Sequence, residues 1–245
     1  MYSLVMAHTR VQILEQLRVP IGLVASAFFP SAAMLAFVVP NVSGQLQATM
    51  ATGSMLLFTL MSMSLMGLGI GVASDRELPW DPYLRTLPAG PGPRLAARLI
   101  ANALISLLAM LPVLIIAGAL TDASVPPLRL LLGLVAALLA TVPFVLMGLT
   151  VGYLLPSKAA IGVAQVLFFP IAVLGGLMGD PTHMPAFIAA VSPYVPSRGA
   201  VQLIWAATTD FPVDWLPIIM LGVWTVVLGA LAAWAYRRDE GRRFS

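Results

Sequence analysis

The chain has 245 residues, 60% of them apolar and only 9% charged, with a mean hydropathy of +0.95. An ordinary soluble domain carries about 25% charged residues, so this chain lacks the polar surface that a water-facing fold needs. The net charge of +3 comes from basic residues scattered between apolar runs, which speaks against nucleic-acid binding, and the absence of cysteine excludes disulfides and thiol catalysis.

In chain order, residues 1–19 come first. Leu4, Ala7, Val11 and Leu14 recur at helical spacing, with His8, Gln12 and Glu15 on another face. Arg10 and Arg18 can snorkel to phosphate headgroups, so the segment predicts an amphipathic helix along the membrane surface. The apolar run behind it is long enough to span and reads as an uncleaved anchor.

A helix crossing a hydrocarbon core of ~30 Å needs about 20 apolar residues. Six runs qualify, at 21–39, 48–73, 95–120, 128–154, 159–178 and 215–236. The predicted fold is therefore all-α, a polytopic bundle of six transmembrane helices with an N-terminal interfacial helix. Pro30, Pro112, Pro143 and Pro170 fall inside spans, where kinks are tolerated. With the N-terminus inside, eleven basic residues face the cytoplasm and only Arg129 and Arg198 face out. That asymmetry predicts both termini in the cytoplasm.

The hairpin at 74–94, between spans two and three, is the charged interruption. Together with the first turn of the next span it holds Asp75, Arg76, Glu77, Asp81, Arg85, Arg94 and Arg98. Such a segment cannot rest in hydrocarbon and projects into water. On the other side, residues 180–214 are rich in proline, with apolar pieces too short to cross. These are expected to dip into the outer leaflet or cap the bundle, with Trp205 and Trp215 at the interface. The last segment, 237–245, is a basic tail.

Enzymatic chemistry lacks its parts: no HExxH, no GxSxG and no acidic pair inside a span. Metal ligands are not expected. Gly67-Leu68-Gly69-Ile70-Gly71 ends a span rather than following a strand, so close helix packing through Gly67 and Gly71 outweighs a nucleotide loop. Gly148 with Gly152 and Gly175 with Gly179 repeat that spacing. Asn102 and Gln165 are amides within spans, suited to interhelical hydrogen bonds or to a substrate path. Met55 and Met63 offer span two a soft, adaptable surface. Phe28-Phe29-Pro30 and Phe168-Phe169-Pro170 place the same tripeptide in spans one and five. The spans hold no deep ionisable relay, so an ion-driven engine within the chain is not expected.

Asp75-Arg76-Glu77, then Leu84-Arg85-Thr86-Leu87-Pro88, Ser192-Pro193 and the Tyr236-Arg237-Arg238 exit resemble a type-2 ABC transporter permease. The likeness covers essentially the whole chain. It departs at Leu78-Pro79-Trp80, where that family has a glycine soon after Arg-Glu.

The resemblance implies the membrane subunit of an ATP-driven bacterial exporter, in the inner membrane, with a separate nucleotide-binding ATPase as partner. ATP and Mg would be bound by that partner and no cofactor by this chain. Asp75, Arg76, Glu77 and Arg85 would form the ATPase contact. A second permease subunit, as a homodimer, would complete a path lined by spans one, two and five, with Phe28, Phe29, Met55, Met63, Gln165, Phe168 and Phe169 as its candidates. Its substrate would be apolar or amphipathic (a drug, a lipid or a lipid-linked molecule). A secondary carrier or channel, and a non-transporting scaffold or immunity subunit, are the alternatives.

Overall fold

The computed structural model describes residues 2–18, 21–79, 92–179 and 184–241. Every regular element among these is helical. Helix α1 covers Tyr2–Arg18. Helix α2, Ile21–Ala33, continues through a π-helical turn at Met34–Val38. Helix α3, Gln45–Ser62, passes through a second π segment, Met63–Gly69, into α4, Ile70–Arg76. The rest are α5, Gly92–Leu120; α6, Pro127–Ala140; α7, Val142–Leu154; and α8, Ser157–Leu174. Outside the long helices lie α9, Ala186–Val191, and α10, Pro196–Thr208, before α11, Trp215–Gly241.

Five of these runs are long and apolar enough to cross a membrane: Gln45–Arg76, Gly92–Leu120, Pro127–Leu154, Ser157–Leu174 and Trp215–Glu240. They match predicted spans two to six. The first predicted span is helical over 21–38, but its described apolar stretch, Ala27–Val38, is shorter than a full crossing. Helix α1 packs along α5, with Thr9 buried and Ile13 against the cluster of Met63, Ile105 and Ala109.

The run Gln45–Arg76 is the axis of the bundle: 78% of its apolar window is buried, against 22% to 39% for the other four. Leu57, Leu60, Met61 and Leu65 are fully enclosed on it. Because lipid tails are as apolar as leucine, burial alone does not hold such helices together; close packing does. Gly148 supplies it on α7. A Cβ there would overlap the Ser64 carbonyl, and one at Gly152 would sit 2.7 Å from Gly69 O. The spacing at Gly148 and Gly152 thus forms a helix contact within the chain, but its counterpart is Gly69. The expectation for Gly67 and Gly71 is corrected: among the described residues a Cβ at Gly67 would meet only the Met63 methyl, at 3.7 Å, and one at Gly71 would meet nothing within 4 Å.

Helix α10 packs against α6, α11 and α3 on the face where Val201, Ile204 and Trp205 point inward. Trp205 is 1% exposed and its indole N–H donates to the Met50 carbonyl at 2.8 Å. This corrects its expected interfacial position: a buried indole needs an acceptor, and the helix beneath provides one. Trp215 does stand on the surface, 68% exposed. Arg198 stacks over Trp205 at 5.1 Å. At the same end Arg129 donates to Asp210 at 2.7 Å, and the guanidinium holds that carboxyl below its ordinary range.

Candidate coupling clamp and transport path

The charged triplet falls on the last turn of α4 and just beyond it, where the axial run leaves the bundle. Arg76 reaches the end of α7: Nη1 donates to Gly152 O at 2.7 Å and to Leu155 O at 3.3 Å. The last carbonyls of a helix have no partner within it and carry its negative dipole end, so a guanidinium is the fitting cap. The same guanidinium pairs with Asp239, on the last turns of α11, through Nε at 3.0 Å and through Nη2.

Glu77 does the complementary job at the next helix. Its Oε1 accepts from the Ser157 backbone N–H at 2.8 Å, at the first turn of α8. A carboxylate there meets the positive dipole end. Ser74 Oγ lies 3.0 Å from Ser157 Oγ. Arg76 and Glu77 thus cap the two sides of the α7–α8 turn with charges of the matching sign. Asp75 turns the other way and pairs with Arg98 on α5. Four neighbouring segments (α5, α7, α8 and α11) are tied to the end of the axial run by three consecutive side chains.

Asp239 was not singled out by the sequence reading. It is the most enclosed acid of the clamp, 4% exposed, and lies 163 positions from Arg76. The available signal was an acid directly after Arg237-Arg238 at the exit of the last span. Arg85 and the 84–88 motif lie outside the described residues.

The seven path candidates divide. Met55, Met63 and Phe168 are enclosed in the chain's own core, at 3%, 4% and 2% exposure. Phe168 packs edge-on against Phe58, with ring centroids 4.7 Å apart. Phe28, Phe29 and Phe169 stand on outer faces of α2 and α8. Gln165 is also exposed, midway along α8. The echoed tripeptides therefore have different surroundings: Phe28 and Phe29 both face out, while only one of the second pair does.

A family model described as "ABC-2 type transporter" matches residues 3–207. The chain belongs to the ABC-2 type transporter family. This ABC-2 permease is also 23% identical over 187 residues, 76% of each chain, to the protein named "Putative transport permease YvfS" of Bacillus subtilis (strain 168). The matched family stretch includes the triplet and its caps on α7 and α8, but stops before α11 and Asp239. The permease is a multi-pass membrane protein and a transporter membrane subunit.

Proposed function

We propose that this ABC-2 permease is the membrane half of an ATP-driven bacterial exporter, worked by a separate ATPase subunit that binds the ATP and Mg. The observation that carries the reading is the clamp. Residues 77–91 connect α4 to α5, and both flanks of that connection are anchored, by Arg76 and Glu77 on one side and Arg98 on the other. A force applied to the connection by a partner is delivered to the ends of α5, α7, α8 and α11 together. Asp75, Arg76 and Glu77 then act mainly as transmission, holding the span ends in register, while the surface presented to the ATPase includes Arg85.

A second copy of the permease completes the path. Gln165 supports this: an amide exposed at mid-span is costly in hydrocarbon, and a facing copy or a polar passage satisfies it. Phe28, Phe29 and Phe169 give the same outer surface an aromatic character suited to an apolar or amphipathic cargo such as a drug, a lipid or a lipid-linked molecule. The complex sits in the inner membrane with both termini cytoplasmic.

The test is Arg76→Glu in cells carrying the permease and its ATPase. Membrane insertion is expected to persist while ATP-dependent export is lost. Export at the unaltered rate would reject the coupling role. Isolation of the permease from membranes should bring down a nucleotide-binding subunit, and a Gln165→Cys variant should form a disulfide between two copies.

A further inference from the structure

The last turns of α11 send charges of opposite sign to different faces. Residues 237–240 read Arg-Arg-Asp-Glu, a stretch with no net charge. In the fold, Asp239 is enclosed with Arg76, and Glu240 accepts from the Tyr236 hydroxyl. Arg237 and Arg238 stand exposed, and among the described residues no carboxylate pairs with either. What the surface presents there is a pair of positive charges.

Trp234 completes the group, since positions three and four residues apart share one face of a helix. It is 49% exposed, and the Arg238 guanidinium lies over its ring, 5.2 Å from the centroid. The same face continues through Leu231, Val227 and Val223, all exposed, while Leu228, Ala232 and Ala235 on the other side are buried. On a membrane span such an apolar face meets lipid tails. Depth follows from the helix rise. The exposed Trp215 and Trp234 are 19 positions apart, about 29 Å of helix, which matches a hydrocarbon core of ~30 Å. Tryptophan favours the two boundaries of that core. Trp234 therefore marks one boundary, and the two guanidiniums, about 5 Å further along the axis, reach the level of the headgroup phosphates.

We infer that Trp234, Arg237 and Arg238 form a binding site for the headgroup of an anionic phospholipid. The two guanidiniums hold the phosphodiester, whose oxygens their forked donors match, and the indole rests where the acyl chains begin. Two unpaired cations favour a lipid of net negative charge over a zwitterionic one. The site needs neither an ATPase nor a second copy, so it goes beyond the function proposed above. A headgroup on the outer face and Arg76 on the inner face then hold the same turns of α11 from two sides.

The probe is phosphatidylglycerol with a diazirine on its headgroup glycerol, placed with the full-length permease in phosphatidylcholine nanodiscs. Labelled sites are mapped by peptide mass spectrometry. Label should fall saturably on the segment around 231–241, and unlabelled phosphatidylglycerol should compete where added phosphatidylcholine does not. Arg237→Gln and Arg238→Gln should each weaken that competition about 5-fold, the worth of one basic residue beside an anionic surface. The double variant should lose the preference; if it fails to insert, the single variants decide. Equal competition by the two lipids would overturn the proposal, and so would a preference unchanged in the arginine variants. Displacement by inorganic phosphate at matched ionic strength would assign the site to a soluble anion and would also overturn it. No ATPase is present in the assay, so failure here leaves the coupling role untouched.

Discussion

Arg76 combines two interactions of different character, and they respond differently to substitution. Its hydrogen bonds to Gly152 O and Leu155 O replace what water would offer at a helix end, whereas its pair with Asp239 neutralises a carboxylate that is almost fully enclosed. Breaking a buried pair by removing one partner typically costs about 3–5 kcal/mol. Arg76→Met is expected to cost about 3 kcal/mol, the lower end, because its side chain keeps 17% exposure. Adding Asp239→Leu should recover part of the loss, as thermal unfolding in detergent would register; a double variant no more stable than Arg76→Met alone would contradict the pairing. The triplet was legible because three charges in a row are conspicuous in so apolar a chain. The partners of Arg76 were not, because two are backbone carbonyls and the third is an acid brought near only by folding. A weaker pair acts at the other end. The Asp210 carboxyl is held below its ordinary pKa, so its contribution is complete above the unfolded value of about 3.9 and is lost as pH falls through the lowered folded value. An acid-melting curve of Asp210→Asn should therefore lack that component and converge with the parent at the acid end.

Element by element, the 3.6-residue and small-residue patterns indicated where helices lie but not which faces meet. Predicted spans two to six coincide with long helices because runs of apolar residues interrupted by charge leave little choice in a membrane. The glycine contact shows the limit. Gly67 and Gly71 have the right spacing, yet the π-helical turns of Met63–Gly69 shift the register so that Gly69 meets α7. Gly148→Ala forces a methyl against the Ser64 carbonyl and should destabilise by about 1–3 kcal/mol, the usual cost of overpacking. Gly71→Ala meets nothing within 4 Å among the described residues and should stabilise by roughly 0.5–1 kcal/mol through helix propensity. The same melting assay ranks the two, and equal effects would refute the assigned contact. Trp205 was misplaced for a related reason: tryptophan favours the interface because one end of the ring is polar, and a carbonyl of the axial helix satisfies that end just as well.

Across the whole molecule, orientation depends on whether residues 21–38 cross the bilayer. The five long helices fix the relative sides of everything from Gln45 to Glu240. The anchored connection between α4 and α5 then shares a side with the α7–α8 turn and with the end of α11, as the bonds of Arg76 require. Only the N-terminal segment has a choice. If 21–38 did not cross, Arg10 and Arg18 would lie on the outer side with Arg129 and Arg198, weakening a charge asymmetry that is otherwise eleven to two. Cytoplasmic loops collect arginine and lysine because translocating them is unfavourable, so the crossing arrangement is favoured despite the short described apolar stretch, Ala27–Val38. A π-helical turn extends this helix over Met34–Val38, and Phe28, Phe29 and Phe37 face outward, as a lipid-facing span requires. The expected outcome is that cysteines placed at Gln12 and at Arg237 in the cysteine-free chain resist an impermeant thiol reagent in intact cells and react once the cells are opened, while one at Asp122 reacts from outside. Labelling of Gln12→Cys in intact cells, with Arg237→Cys still protected, would place the N-terminus outside and reduce the crossings to five.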